Sequence, residues 1–217
     1  MKKSLIILLL LCFAISCGND PFFKEREADF FPFDIYGNEW TYSVNDNEEE
    51  VWKVQGSETY AGYEGSLLVA GLDTLIFYRN SNDMMIYVNS SGYFDATKYN
   101  LQDSWQKYIS TPLITGRIWN DLYEENIEIY GVMVKYSSSI KGTVLSRESV
   151  KVPVGEIDNC YKVEISIQKS VETSLPGFEH IQKYQHYIIW LASDIGIIKK
   201  KDLINNKTWS LKSYKIE

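Results

Sequence analysis

Few side chains in this sequence stand where they could do chemistry, and the most informative of them is Cys17. It follows Ala14-Ile15-Ser16 at the end of an apolar run from Leu5 to Ile15, which itself follows Lys2 and Lys3. A positive n-region, a short apolar stretch and small residues before a cleavage point are the parts of an export signal. The run is too short to span a bilayer, which takes roughly 20 apolar residues. A cysteine at this point is what a lipobox presents for diacylglyceryl transfer before signal peptidase II cuts. Ser16 and Cys17 fit that pattern, while Ala14 stands where leucine is commoner. Two or three acyl chains of the palmitate kind would anchor the chain stably, since a single chain binds only marginally. The lipidation site expected is therefore Cys17.

The remaining candidates each have a plainer reading. His180 and His186 are the only histidines. In an extended segment they lie on one face about 20 Å apart, at ~3.3 Å per residue. They could not then share a metal, whose ligand atoms sit about 2 Å from it. No G-x-S-x-G elbow accompanies either one. Cys160 has no local basic cluster to activate it, and a lone cysteine is usually a small buried hydrophobe. Asp46-Asn47-Glu48-Glu49-Glu50 lacks the glycine and order of a calcium loop and reads as a hairpin tip. Lys199-Lys200-Lys201 reads as a charged run that keeps a strand edge soluble. No catalytic residue, metal ligand or cofactor is expected.

Composition narrows the function classes further. Cleavage before Cys17 leaves 201 residues with 20 basic and 29 acidic side chains, a net charge of −9. Such a balance argues against nucleic acid and against binding to an anionic membrane face. Cys12 departs with the signal and Cys17 carries lipid, so Cys160 has no partner for an intramolecular disulfide. The fold must rest on its apolar core. There are 6 Trp, 16 Tyr and 9 Phe, more rings than a one-sided sheet needs as core. Tyr36, Tyr60, Tyr63, Tyr93, Tyr99, Tyr123 and Tyr136 fall near turns, where amphipathic rings suit ligand contact.

The elements that must position these groups are strands. Tyr161-Lys-Val163-Glu-Ile165-Ser-Ile167-Gln alternates cleanly, the pattern of an antiparallel strand with one wet face. Similar runs cover 40–44, 51–55, 66–70, 74–79, 84–89, 126–136, 140–152, 181–191, 195–203 and 207–216. In the last of these the apolar parity changes between Leu211 and Tyr214, which predicts a bulge near Lys212-Ser213. Only 96–108 reads as helical. One internal echo joins Pro32, Gly37 and Trp40 to Pro112, Gly116 and Trp119. In each, proline and glycine set a turn and tryptophan starts a strand as a core plug.

A resemblance supports the same picture. Phe31-Pro32-Phe33 through Gly37-Asn38-Glu39-Trp40-Thr41-Tyr42 resembles the "FPL-x-x-G-N-x-W-x-Y" opening of many uncharacterised exported bacterial lipoproteins. Val152-Pro153-Val154-Gly155-Glu156-Ile157 resembles their "VPAG-x-F" turn, with Val154 for alanine and Ile157 for phenylalanine. Asp194-Ile195-Gly196-Ile197-Ile198-Lys199 resembles their "G-V-G-L-V-K" strand. The resemblance implies a curved antiparallel sheet, like that of the Lol-type lipoprotein carriers, and implies no settled activity.

The expectation is thus a mostly β fold: a single curved antiparallel sheet, open or half-barrel, with at most one or two short helices. Residues 1–16 form the lipoprotein signal peptide, 17–29 the lipidated tether and 30–217 one β-rich domain. The chain belongs in the bacterial cell envelope, at the outer membrane, held by its lipid. Its expected role is non-enzymatic binding or assembly, with a concave sheet taking an apolar ligand or an envelope-protein partner. A glycan-binding module using exposed Tyr and Trp is the alternative, and a hydrolase with dispersed acidic residues a second. Cys17→Ser should release the protein from the membrane fraction or leave it uncleaved, without unfolding 30–217. Mass analysis of the mature N-terminus should show acyl groups on Cys17, and an unmodified cysteine there would refute the anchor.

Overall fold

The computed structural model describes residues 29–81, 83–88, 104–129, 131–174 and 180–217. Twelve strands make one antiparallel sheet: β1 (Glu39–Val44), β2 (Glu48–Tyr60), β3 (Tyr63–Ala70), β4 (Asp73–Asn80), β5 (Asp83–Val88) and β6 (Ser104–Ile109) form its first half. β7 (Ile118–Ile129), β8 (Val132–Val152), β9 (Gly155–Thr173), β10 (Ile181–Ala192), β11 (Gly196–Asp202) and β12 (Thr208–Lys215) form the second. The order across the sheet is β6-β5-β4-β3-β2-β1-β12-β11-β10-β9-β8-β7. Every strand therefore lies beside its sequence neighbour, except that β12 returns to pair with β1 and β6 and β7 are the two ends. The only helical piece among the described residues is a 3-10 turn, Pro32–Asp34.

The expected curved, mostly β sheet is what forms, and it curls into a nearly closed barrel. Its ends meet through side chains in place of a strand ladder. Lys107 N donates to Asp121 Oδ2 at 2.6 Å. Gln106, buried on β6, donates to Ser138 O at 2.9 Å and accepts from Ser138 Oγ at 2.6 Å on β8. Arg117 Nη2 reaches Ser110 Oγ at 3.0 Å. The Asp121 carboxylate thus gives an unpaired amide of edge strand β6 a partner without extending the sheet.

Two readings of the sequence are corrected. Residues 104–108 are strand, not helix: Ser104–Val88 and Trp105–Tyr87 are ladder partners. Alternation of buried Gln106 and Tyr108 with less buried Trp105 and Lys107 outweighs the local helical spacing; residues 96–103 lie outside the described ones. The run 126–136 is two strands, because Gly131 (φ +79°) turns the chain between β7 and β8. The bulge is where parity placed it. Thr41 pairs with Ser213 and Tyr42 with Leu211, so Lys212 is the extra residue.

The Pro–Gly–Trp echo marks a two-fold repeat in the barrel. Gly37 (φ +93°) and Gly116 (φ +86°) both take the left-handed conformation that favours glycine. Gly37 N donates to Val54 O while Val54 N donates to Asn38 O. Gly116 N donates to Val144 O while Val144 N donates to Arg117 O. Trp40 then opens β1 and Trp119 opens β7, six strands on, and both are buried in the core.

Inward residues fill much of the interior. Trp40 and Tyr42 are fully buried, and their polar tips donate to Ile195 O and Ile197 O, each at 2.6 Å. At the end where the chain enters, Phe31 and Phe33 plug the barrel, Phe33 lying 5.0 Å from Trp40 and 5.6 Å from Phe77 by ring centroids. Trp119 lies flat over Gly142, its cross-strand partner, where a Cβ would overlap the indole. Gly142→Ala should therefore cost about 1–3 kcal/mol by overpacking. Gly56→Ala, where a Cβ meets nothing within 4 Å, should change stability by less than about 0.5 kcal/mol. Urea midpoints of the two variants check this, and equal midpoints would refute the packing of Trp119.

Candidate functional site

The ends of the barrel differ. β11 starts at Gly196, against Pro32 and Phe33, and runs to Asp202 at the opposite mouth. Asp194 N donates to Asp29 O, so the tether enters at the plugged end. The opposite mouth holds a cavity of about 830 Å³. Trp52, Leu75, Ile86, Tyr108, Ile167 and Tyr187 give it an apolar wall. Ladder pairing puts these rows on the inward face: Trp52 opposite Ala70, Leu75 opposite Leu68, Ile86 opposite Phe77.

Polar groups converge on this wall. Glu50 Oε1 accepts from the indole N–H of Trp52 at 2.7 Å and of Trp209 at 3.0 Å. Glu50 Oε2 lies 3.4 Å from Lys207 Nζ. Asp202 accepts from Ile204 N, Asn205 N and Asn205 Nδ2 at 2.8–2.9 Å. Those donors, with Lys200 nearby, outweigh its partial burial and hold its carboxyl below the usual range. Lys200 Nζ stands over three rings, 4.9 Å from Trp209, 5.0 Å from Tyr187 and 5.5 Å from Trp52. Burial draws its ammonium below the ordinary lysine range, while Asp202, Glu50 and Asp73 pull the other way. The three rings also favour the charged form. Around the mouth, Leu72, Leu203 and Ile204 are exposed at turn tips.

A larger cavity, about 1110 Å³, lies at the plugged end, but its main charge is already spent. Arg79 bonds Asp29 at 2.9 Å, Asp34 at 3.1 Å and Phe31 O at 2.9 Å, which ties the tether to the barrel. Phe30 meets Tyr161 edge-on, and Arg147 lies over the same ring. That cavity is the seat of the entering chain, and the cavity at the opposite end is the better site.

The residues singled out in the sequence fall mostly elsewhere. Cys17 lies outside the described residues, as do Tyr93 and Tyr99. His180 bonds Gln182 and His186 bonds Glu164, each at 2.8 Å, so the two imidazoles serve different neighbours. No group of three His, Cys, Asp or Glu among the described residues is placed to hold a metal. Cys160 is a free, buried thiol, donating to Ile157 O at 3.2 Å. Burial and the nearby Asp158 and Glu148 push its pKa up to about 11, the reverse of an activated nucleophile. Asp46 sits in the hairpin turn, as expected.

Three readings change. The lysine run does not guard an edge, because β11 lies between β10 and β12. Lys199 covers outward Trp190 at 5.3 Å, whereas Lys200 points into the cavity. Tyr136 is buried, not a surface ring. Tyr60, Tyr63, Tyr78, Tyr87 and Trp105 do cluster on the outer face, but at interplanar angles of 31° to 66° they interlock and present no flat row. Lys200 was missed because parity alone does not say which face of β11 is inward. Its buried neighbours Ile197 and Ile198 straddle a bulge against Trp190–Leu191 and hide the alternation.

No family model matches the chain, and no curated protein matches it. Solved structures similar to it include a candidate lipoprotein of Parabacteroides distasonis, at 14% identity, covering 87% of this chain and 99% of that one, with a TM-score of 0.48. A candidate exported protein of Bacteroides fragilis with a YmcC-like fold gives 13% identity, coverage of 87% and 99%, and a TM-score of 0.45. The hypothetical lipoprotein YmcC of Escherichia coli gives 10%, 89% and 92%, and 0.31.

Tyr108 and Tyr187 bond to each other across the interior, 6.4 Å between ring centroids. Burial raises Tyr108 to about 12 and Tyr187 well above the ordinary tyrosine range. Below pH 10 both folded and unfolded chains keep these protons. As pH rises from about 10 to 12 the unfolded chain loses them first, so stability falls. Tyr108→Phe should remove about 1.4 kcal/mol of the loss in unfolding free energy between pH 9 and 11. Urea titrations at the two pH values check this, and an identical pH dependence in the variant would refute it.

Proposed function

We propose that this protein is a lipid-anchored lipoprotein of the cell envelope and a non-enzymatic binding module, whose barrel mouth takes a ligand with an apolar body. The observation that carries the binding role is the cavity of about 830 Å³ lined by inward Trp52, Leu75, Ile86, Tyr108, Ile167 and Tyr187. Preformed apolar concavities of several hundred Å³ with a few convergent polar groups are the usual form of a small-molecule site. The anchor rests on the export signal and Cys17. Asp29, where the described chain begins, lies at the plugged end, opposite the cavity.

Two alternatives have less support. The interlocked rings of the outer cluster leave no platform for stacking a glycan chain across the sheet. A hydrolase would need a carboxyl poised to give or take a proton, and Asp202, held below the usual range by its N–H donors, is a weak base and stays ionised. The mature chain carrying Cys17→Ser, titrated with neutral N-phenyl-1-naphthylamine, should show saturable binding at one site with energy transfer from tryptophan, since Trp52 and Trp209 line the cavity. Ala70→Phe, which fills the mouth from a lining position, should weaken binding about tenfold, equivalent to roughly 1.4 kcal/mol. Binding that is non-saturable, or indifferent to Ala70→Phe, would refute the cavity as the site.

A further inference from the structure

We infer that the mouth cavity selects a neutral, hydroxyl-bearing head on an apolar body, such as an alkyl glycoside, with the Lys200 ammonium as the donor that recognises it. The inference rests on the binding reading and names the ligand class for the same site.

The starting point is an ammonium without an acceptor. Among the described residues Lys200 makes no hydrogen bond and no ion pair; its close neighbours are the three rings. Lys207 and Lys212, at the same mouth, are paired with Glu50 and Glu49. Rings stabilise a cation's charge but leave its N–H bonds without oxygen partners. Lys200 thus presents to the cavity it lines donors that no described protein group accepts. A ligand oxygen placed there gains a charge-assisted hydrogen bond, stronger than one between neutral groups.

The charge around Lys200 decides which oxygen. The cavity is lined by four carboxylates, Glu49, Glu50, Asp73 and Asp202, against Lys200 and Lys207, and with Lys212 paired to Glu49 the local balance is −1. A carboxylate or phosphate head meets this field and is repelled in a partly desolvated site. A ligand ammonium is drawn by the field, but Lys200 already occupies the place over the Trp52, Tyr187 and Trp209 rings that it would take. A hydroxyl carries neither penalty. It can accept from Lys200 and donate to lone pairs that Glu50 Oε2 and Asp202 still hold, because a carboxylate has about four acceptor positions. The apolar side chains of the wall, Leu75, Ile86 and Ile167 among them, suit an alkyl body.

Octyl glucoside, octanoate, octyltrimethylammonium and octanol share one tail and differ in the head. Each would be added below its micellar concentration to displace N-phenyl-1-naphthylamine from the mature Cys17→Ser chain. The glucoside should displace the probe at about tenfold lower concentration than octanoate, octyltrimethylammonium or octanol. Free glucose should displace it poorly. In Lys200→Met the glucoside should fall to the level of octanol while the probe still binds. Should that variant lose the probe, Lys200→Arg, which retains charge and donors, should keep the glucoside advantage. Octanoate or octyltrimethylammonium binding best would overturn the neutral-head inference and leave the cavity standing. So would a glucoside advantage that survives Lys200→Met. Displacement by glucose alone at the glucoside's concentration would overturn the apolar-body half. Failure of the probe itself to bind would bring down the binding reading, a distinct outcome.

Discussion

With one 3-10 turn and no α-helix among the described residues, the inward face of the sheet can leave water only by curling onto itself. An apolar sheet face must be buried against some other layer, and here the opposite wall of the same sheet is that layer. The pair of hydroxyls on Tyr108 and Tyr187 shows the consequence, since β6 and β10 meet through the interior and not along a ladder. Closure then has to be negotiated at one seam. The up-and-down order puts that seam between β6 and β7 instead of between the chain's ends, because β12 pairs with β1. Gln106 with Ser138, and Asp121 with the Lys107 amide, hold it.

A barrel of this strand number encloses more space than a few side chains fill. The chain meets that excess unequally at its two ends. Phe31 and Phe33, delivered by the segment leading from the tether, close one end. Arg79 fastens that segment through Asp29 and Asp34. Nothing comparable among the described residues enters the other end. The space left there is bounded by tryptophans whose N–H groups converge on one carboxylate, Glu50. That convergence sets the orientation of Trp52 and Trp209, and so the shape of the wall. Plug and mouth are two results of one geometric surplus.

The same economy explains the charges. A lysine facing inward would ordinarily be a defect. Lys200 is tolerated because three ring faces and the fields of Asp202, Glu50 and Asp73 stabilise it. Outward Trp190 shows the converse arrangement. Lys162 and Lys199 lie over its ring and Glu148 takes its N–H, so a large apolar side chain sits buried on the outer side of the strand.

Much of the fold was legible in the residue order, since strand propensity, period-two alternation and turn residues are local. The clean alternation of Val163, Ile165 and Ile167 became a half-buried strand. The parity break after Leu211 became the bulge at Lys212, and the glycines at 37 and 116 became left-handed turns ahead of buried tryptophans. The isolation of Cys160 could be counted, and its burial followed. What the sequence could not settle were matters set by pairs of residues far apart in it. Whether β11 lies at an edge or in the middle of the sheet depends on β12 returning to β1, and that pairing turned Lys200 from a solubilising charge into a cavity-lining group. Strand or helix at 104–108 was decided by pairing with β5, and the open mouth by which end Phe31 and Phe33 plug. Local sequence determined the strands and turns. Tertiary structure decided which face was inside and where space remained, because curvature and closure are properties of the whole sheet.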